Sequence, residues 1–140
     1  VAFVVQMRTE KPQFIWCAWK ELAKQIPSDQ PQTVYVFEDL VAYHFWFATR
    51  NNGNFQIVKI NGMLEMTEDK AYFLPRGFEG VRSTTPDEIS GERFWIAFRD
   101  MKWNEKHPPL NYLTDRGFKF DEPRKIDVNG LKAFIVEVKR

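Results

Sequence analysis

One stretch of the sequence, residues 34–50 (VYVFEDLVAYHFWFATR), constrains the fold more than any other. It begins with a short apolar run rich in β-branched and aromatic residues, which is typical of a buried strand. An acidic turn follows, and then a segment that is apolar almost all round, as in a buried helix. A strand that runs directly into a buried helix is typical of an α/β protein, in which helices cover the faces of a mainly parallel sheet.

The composition fits a single globular domain. The chain has 140 residues, of which 44% are hydrophobic and 28% are charged, and a chain of this length builds one sizeable core. The net charge of +1 provides no broad positive surface for a polyanion, so we predict that nucleic acid is not a partner. The single cysteine, Cys17, excludes an internal disulfide.

The first residues leave two interpretations open. Residues 1–5 (VAFVV) are apolar, and residues 6–12 are polar with Arg8 and Lys11 among them. They are either an ordinary first strand or the end of a longer apolar segment at a membrane boundary, where Lys and Arg are common. No segment of the sequence reaches the roughly 20 apolar residues that cross a bilayer. We predict a juxtamembrane or linker segment over residues 1–12 and a single α/β domain over residues 13–140.

Apolar spacing and turn residues predict the order of the elements. Ile15, Trp19, Leu22 and Ile26 recur at helical spacing, and Pro27 ends that helix. A strand over 34–37 follows, then a helix over 40–49 with Asp39 as N-cap, and strands over 55–60 and 72–74. A one-turn helix begins at Thr85, with Glu88 completing a capping box. The remaining predicted elements are a strand over 94–98, a helix from Pro108 to Gly117, a strand from Phe118, and a hairpin over 126–138 that turns at Asn129-Gly130. We predict a three-layer α/β sandwich, whose mainly parallel sheet carries a C-terminal antiparallel hairpin at its edge.

The first strand–helix junction does not suit a phosphate. Nucleotide-binding α/β folds place glycines at this turn, because the phosphate must approach the backbone N–H groups of the helix N-terminus. Here the turn carries Glu38 and Asp39, whose carboxylates repel a phosphate. The sequence also contains neither a Gly-x-Gly-x-x-Gly motif nor a P-loop. We therefore predict that the chain binds no nucleotide cofactor.

Polar side chains follow two of the predicted strands. Glu38 and Asp39 come after the first strand, and Arg99 and Asp100 come after the strand over residues 94–98. Because ligands of open α/β sheets bind in the crevice beyond the carboxyl ends of the strands, these four residues are a candidate site for a sugar or another polar ligand. Trp103 is a candidate exposed stacking contact nearby. Helix capping and surface ion pairs are the alternative role of the same side chains.

The last predicted strand has a pattern that resembles the metal-binding strand of restriction-type nucleases. It ends in Glu137-x-Lys139, and Asp127 lies upstream in the position of the second carboxylate. If Asn129-Gly130 is a two-residue turn, however, Asp127 and Glu137 lie roughly 16 Å apart at ~3.3 Å per residue. One cation cannot bridge that distance.

The remaining reactive residues have no partners at catalytic or ligand spacing. His44 and His107 lack a second zinc ligand in sequence, and His44 is better explained as a partly buried histidine with one hydrogen-bond partner. Cys17 has no identifiable base beside it. We predict no metal site and no catalytic residue in this chain.

Three features together resemble the soluble C-terminal domain of membrane glycosyltransferases. They are an apolar stub before a Trp-bearing helix (WCAWKELA), a Pro-flanked turn into VYVFEDLVAYHFWF, and an ending built from FWIAFRD, LNYLTDRGF and LKAFIVEVKR. The family that the chain resembles is that of the dolichyl-phosphate-mannose–protein mannosyltransferases and their bacterial relatives, which use polyprenyl-phosphate sugars.

The resemblance implies that catalysis takes place outside this chain, in a loop between membrane helices. The chain would then be a non-catalytic, extracytoplasmic accessory domain, held at the membrane by the transmembrane part of the same polypeptide and positioning an acceptor glycan or a polyprenyl-phosphate sugar. Two alternatives remain. One is a stand-alone α/β protein that binds a small polar ligand, and the other is a metal-dependent nuclease that uses Asp127, Glu137 and Lys139.

Overall fold

The computed structural model describes residues 15–61, 81–99, 108–128 and 131–140. In chain order, its elements are α1 (Ile15–Ala23), β1 (Gln32–Val36), α2 (Asp39–Thr49), β2 (Phe55–Ile60), β3 (Arg82–Thr84), a 3₁₀ helix (Pro86–Glu88), β4 (Arg93–Arg99), α3 (Pro108–Asp115), β5 (Lys119–Phe120), β6 (Arg124–Val128) and β7 (Leu131–Lys139). The predicted strand over 72–74 and the predicted segment 1–12 lie outside the described residues. None of the described helices is long and apolar enough to span a membrane.

The strands form one mixed sheet. Its order is β3-β2-β1-β4-β7-β5, and β6 also pairs with β7. The pairs β1–β2, β1–β4 and β2–β3 are parallel, whereas β7 is antiparallel to β4, β5 and β6. This arrangement confirms the predicted fold class, a mainly parallel sheet with antiparallel strands at one edge.

The central strand β1 is the topological switch point of the sheet. It pairs with β2 on one side and with β4 on the other, so that Val34 lies opposite both Ile57 and Trp95. The chain therefore leaves β1 toward β2 and β3, and it later crosses back to form β4 on the opposite side. In open α/β sheets, this reversal leaves a crevice beyond the carboxyl ends of the two strands where ligands bind.

Two apolar clusters cover the two faces of the sheet. On β1, Val34 and Val36 pack in the cluster that contains α1 and α2, whereas Tyr35 and Phe37 pack in the cluster that contains α3. This period of two is the alternation that a pleated strand imposes. β4 and β7 alternate in the same way, so the strands are buried on both faces. The structure is therefore a three-layer sandwich.

Large rings fill much of these clusters. Trp19 of α1 meets Phe45 of α2 with ring centroids 6.1 Å apart. On the other face, Phe94 packs edge-on against both Tyr35 and Phe118, at 5.0 Å and 5.1 Å. Edge-to-face contacts at these distances add stabilisation to the burial of the rings.

The C-terminal hairpin has the predicted register. Val128 pairs with Leu131, and Asp127 pairs with Lys132. This is the register that a two-residue connection produces.

Of the two predictions of helix capping, one is wrong and the other is confirmed in part. α2 begins at Asp39, so its N-cap is Glu38, which has extended backbone geometry and makes no capping hydrogen bond through its side chain. The segment after Thr85 is a single 3₁₀ turn with Thr85 at the N-cap position and Pro86 at its start, as predicted, but Thr85 makes no side-chain capping bond. Glu88 instead accepts a hydrogen bond from Thr84. In both cases the carboxylate that a capping motif would use interacts with a different residue of the folded chain.

Gly117 ends α3 as predicted. Its φ is +89°, in the left-handed region. Its N–H donates to the carbonyl of Thr114, and the N–H of Phe118 donates to the carbonyl of Leu113. These two bonds form a Schellman motif, and the accompanying apolar contact comes from Leu113 and Phe118, which share one core cluster.

We expect Gly117→Ala to lower the free energy of unfolding by about 1–2 kcal/mol, because a Cβ disfavours left-handed backbone. A Cβ added at this position would meet no atom within 4 Å, so the effect comes from the backbone alone. Gly53→Ala is the matched control, since Gly53 also has open space and is outside the positive-φ glycines of the described chain. Urea denaturation measures both variants, and equal stabilities would contradict the Schellman assignment.

Candidate functional site

Five charged or titratable side chains gather at the carboxyl edge of the central strands. We call them the switch-point cluster: Glu38, Asp39, His44, Lys59 and Arg99. Glu38 and Asp39 follow β1 directly, Lys59 lies near the end of β2, and Arg99 is the last residue of β4. His44 lies on α2, one turn beyond its start. The parallel pairing brings the ends of β1, β2 and β4 to the same edge, and α2 carries His44 close enough to Arg99 to feel its charge.

The Glu38–Arg99 ion pair joins the ends of β1 and β4. The strands are in register at Val36 and Ala97, and Glu38 and Arg99 each lie two residues further along. Arg99 Nε donates to Glu38 Oε1 at 2.7 Å, and Arg99 Nη2 contacts the same oxygen. Glu38 is only 5% exposed. A carboxylate buried to this degree needs a charged partner, and Arg99 provides it.

A second ion pair joins α2 to β2. Lys59 Nζ lies 2.5 Å from Asp39 Oδ1, and the two side chains are 24% and 18% exposed. The buried Oδ1 makes no well-aligned hydrogen bond among the described residues, so the contact is an ion pair only. Lys59 is in register with Val36 of β1, which places its side chain at the level where α2 begins. The first turn of α2 is therefore held to the neighbouring strand by charge.

His44 is half-buried, as predicted from its place on an apolar helix. Burial lowers the pKa of His44 below its ordinary value of 6.5, and the nearby positive charge of Arg99 lowers the pKa further. The imidazole is therefore neutral at pH 7. A neutral imidazole has one donor and one acceptor nitrogen, which adds a neutral polar group to the cluster.

The structure brings together three of the five predicted site residues. Glu38, Asp39 and Arg99 lie in one cluster, whereas Asp100 and Trp103 lie outside the described residues. The alternative role predicted for the carboxylates is partly present, since both form ion pairs.

Sequence reasoning did not place Lys59 or His44 in the site. Lys59 is the one cation in an otherwise apolar strand end, IVKI, which was the available signal. His44 gave no comparable signal, because its position depends on the tertiary contact between α2 and the end of β4.

At the other end of the strands, where β4 begins and β7 ends, the structure contains a cavity of about 450 Å³. Its lining includes Trp95, Asp121 and Glu137. Hydrogen bonds with Asp121 and Glu137 raise the pKa of Lys139, and Glu137 also contacts Arg93 at 3.4 Å. The acidic groups Asp121 and Glu137 are thus engaged by cations of the same chain.

The hairpin register also bears on the nuclease hypothesis. Asp127 lies opposite Lys132, and Glu137 lies five residues further along β7, roughly 16 Å away at ~3.3 Å per residue. Within the described ranges, no group of three or more His, Cys, Asp or Glu side chains could hold a metal ion. The three nuclease-like residues therefore do not form a common site.

Comparisons with known proteins give likenesses in structure alone. No family model matches the sequence, and no curated protein matches it. Among solved structures, the chain is similar to magnesium protoporphyrin IX methyltransferase (ChlM) from Synechocystis PCC 6803 with bound SAM. The two are 9% identical, the match covers 89% of this chain and 76% of the other, and the TM-score is 0.42. A likeness at this level does not indicate a shared activity.

These comparisons correct the family resemblance found in the sequence. No family model and no curated protein supports the assignment to the membrane glycosyltransferases, and the solved structure named above is a methyltransferase, so that assignment is wrong. The physical reason lies in the features that carried it. These features are general to α/β sheets. They are a strand that runs into an apolar helix, a buried strand before a charged pair, and a terminal apolar strand.

The described residues do not fit a nucleotide cofactor at the turn between β1 and α2. Glu38 and Asp39 occupy this turn, and each is paired with a cation of the sheet. A cofactor phosphate would have to displace one of these pairs, because no glycine opens the backbone here. The likeness to a methyltransferase therefore does not bring its bound ligand to this chain.

We expect Arg99→Met to destabilise the protein by about 3 kcal/mol, because it leaves the Glu38 carboxylate buried without a cation. The double variant Glu38→Gln/Arg99→Met should be more stable than Arg99→Met alone, since no uncompensated charge remains. Denaturant unfolding of the wild type, the two single variants and the double variant gives the coupling energy. Additive effects would show that the pair is not coupled.

The control for this experiment is Arg93→Met at the other end of the same strand. Arg93 also forms an ion pair, with Glu137, but its side chain is 64% exposed. An exposed pair contributes at most about 1 kcal/mol, so this variant should be close to the wild type.

We expect the protonation equilibrium of His44 to lower the free energy of unfolding as the pH falls. Its pKa is lower in the folded chain than in the unfolded chain, so below pH 6.5 the unfolded state takes up a proton that the folded state does not. Stability therefore decreases from about pH 6.5 downward until the folded pKa is reached. The melting temperature of His44→Gln should fall less than that of the wild type between about pH 7.5 and pH 5. If the melting temperatures of the wild type and of His44→Gln fell by the same amount, the lowered pKa of His44 would be contradicted.

Proposed function

We propose that the chain is a binding domain for a small, neutral, hydroxyl-rich ligand at the carboxyl edge of β1 and β4. The observation that carries the proposal is the switch-point cluster itself. Paired opposite charges stand at the position where open α/β sheets bind their ligands. This is the ligand-binding alternative of the sequence analysis, with Lys59 and His44 added to Glu38, Asp39 and Arg99.

The charge balance of the cluster supports a neutral ligand. Two carboxylates are matched by Arg99 and Lys59, and the pKa of His44 is lowered so that the imidazole is neutral. An anionic ligand would meet Glu38 and Asp39, and a cationic ligand would meet the two cations. Neither kind of charged ligand has a favourable net field at this edge.

The exposure of the cluster supports a ligand with hydroxyl groups. The side chains of Arg99, Lys59 and Asp39 are each between 18% and 24% exposed, so they retain accessible polar surface while their geometry is fixed by the pairs. A hydroxyl both donates and accepts, and adjacent hydroxyls therefore suit a carboxylate beside a guanidinium or an ammonium. Because the ion pairs already order these donors and acceptors, their side chains lose less conformational entropy when a ligand binds.

The accessory role outside the cytoplasm is not part of this proposal, because the family resemblance on which that expectation depended is wrong. Recognition of a sugar is retained, since it rests on the chemistry of the cluster. The sugar could be free or part of a larger glycan, and both present the same hydroxyl groups.

The test is a titration of the isotopically labelled chain with neutral monosaccharides and inositol, followed by NMR. Glucose 6-phosphate and AMP are the charged comparators. We expect shifts confined to the β1–α2 turn and the ends of β2 and β4, and weaker shifts with the charged compounds. Shifts that map to the opposite edge, or none with any neutral polyol at millimolar concentration, would overturn the proposal.

The variant Asp39→Asn/Lys59→Gln removes the second ion pair without a net change of charge. We expect it to weaken binding about tenfold, as the loss of a charge-assisted hydrogen bond would. Arg93→Gln/Glu137→Gln is the matched control at the other edge and should bind like the wild type. Equal losses in both variants would indicate a general effect on the fold.

A further inference from the structure

We propose that the outer surface of α1 and α2 docks on an anionic lipid bilayer. We call this surface the docking face; it consists of Tyr43, Trp46, Phe47 and Arg50 of α2 and its C-terminal end, together with Lys20 and Lys24 of α1 and its C-terminal end. It lies on the helices and not at the strand edge, so the proposal is independent of the ligand site.

The docking face is aromatic because α2 is apolar on more than its core side. Val41, Ala42 and Phe45 of α2 are buried in the core. Phe47 points away from it and is 46% exposed. Its ring lies 6.2 Å from that of Tyr43 and 6.5 Å from that of Trp46. Tyr43 and Trp46 also pack against the core cluster with part of their surface, so Phe47 is the ring that extends this aromatic surface outward.

The docking face is also positively charged. The guanidinium of Arg50 lies 3.8 Å from the centre of the Phe47 ring. Lys20 and Lys24 line a groove of about 240 Å³ between the two helices, and Ala48, the neighbour of Phe47, lines the same groove. Glu21 pairs with Lys24 at 3.1 Å, but both side chains are about half exposed, so solvent screens the pair.

The combination of aromatic rings and positive charge on the docking face fits a bilayer better than it fits a protein partner. Trp and Tyr prefer the interface between headgroups and acyl chains, and Lys and Arg near an anionic leaflet are attracted to it. The groove adds Ser28 and Asn52 beside the two lysines, and these donors could receive a lipid phosphate. The charge of the surface is therefore complementary to anionic headgroups, while its rings can enter the interface.

A second copy of the chain fits this face less well. An isologous dimer places the same patch on both partners. Lys20, Lys24 and Arg50 would then face their own copies, and like charges that meet across an interface oppose association.

The test is co-sedimentation of the 140-residue chain with vesicles. We expect binding to phosphatidylcholine vesicles that contain about one third phosphatidylglycerol, little binding to pure phosphatidylcholine, and weaker binding as salt is raised. Phe47→Ser and Lys20→Gln/Lys24→Gln should each reduce binding about tenfold or more. Thermal unfolding verifies that both variants fold, which is expected because the altered side chains are exposed.

Lys119→Gln/Lys125→Gln is the matched control, since it removes the same charge from exposed lysines of β5 and β6. It should bind like the wild type, because Lys20 and Lys24 are intact. The apolar residues 1–5 are common to all forms and cannot account for a difference between them. The proposal is overturned if the wild type does not bind anionic vesicles, if the control loses binding equally, or if Phe47→Ser removes a dimer seen by light scattering and leaves vesicle binding unchanged.

Discussion

The parallel pairing of β1 with both β2 and β4 is the constraint on which the rest of the molecule depends. It buries β1 on both faces and along both edges, so its side chains must be apolar on both faces, as Val34, Tyr35 and Val36 are. It also directs the ends of β1 and β4 to one edge. Glu38 and Arg99 meet there as a consequence of register, and α2 begins where that pair is formed.

The ion pairs at this edge distinguish it from the phosphate-binding turn of a nucleotide-binding α/β fold. In a nucleotide-binding turn, the helix N-terminus keeps its N–H groups open to the ligand. In this chain the turn carries a buried carboxylate matched by Arg99 and a second carboxylate matched by Lys59. The edge is therefore polar and closely balanced in charge, which favours hydroxyl groups over phosphates.

Local patterns were sufficient to predict most of the sheet. Alternating or fully apolar runs located β1, β2, β4 and β7, and the Asn-Gly dipeptide of the sequence predicted the register that β6 and β7 show. β3 was not predicted, because Arg82–Thr84 is a three-residue polar strand whose pairing with β2 depends on tertiary structure. The predicted capping bonds are absent because the carboxylates interact with other residues, Asp39 with Lys59 and Glu88 with Thr84. The members of the switch-point cluster could be predicted in part because strand ends can be read from sequence, whereas the approach of His44 to Arg99 cannot.

The helix α2 connects the two proposed surfaces. Its first turn is fixed by the Asp39–Lys59 pair, and its core side is fixed by contacts such as that of Phe45 with Trp19. A helix needs only one apolar stripe to be held in this way. The ring of Phe47 lies beyond that stripe, and its exposure of 46% forgoes the stabilisation that burial would give. An apolar surface retained on an otherwise satisfied helix is best explained by a second contact, and the neighbouring cations indicate the kind of surface that would provide it.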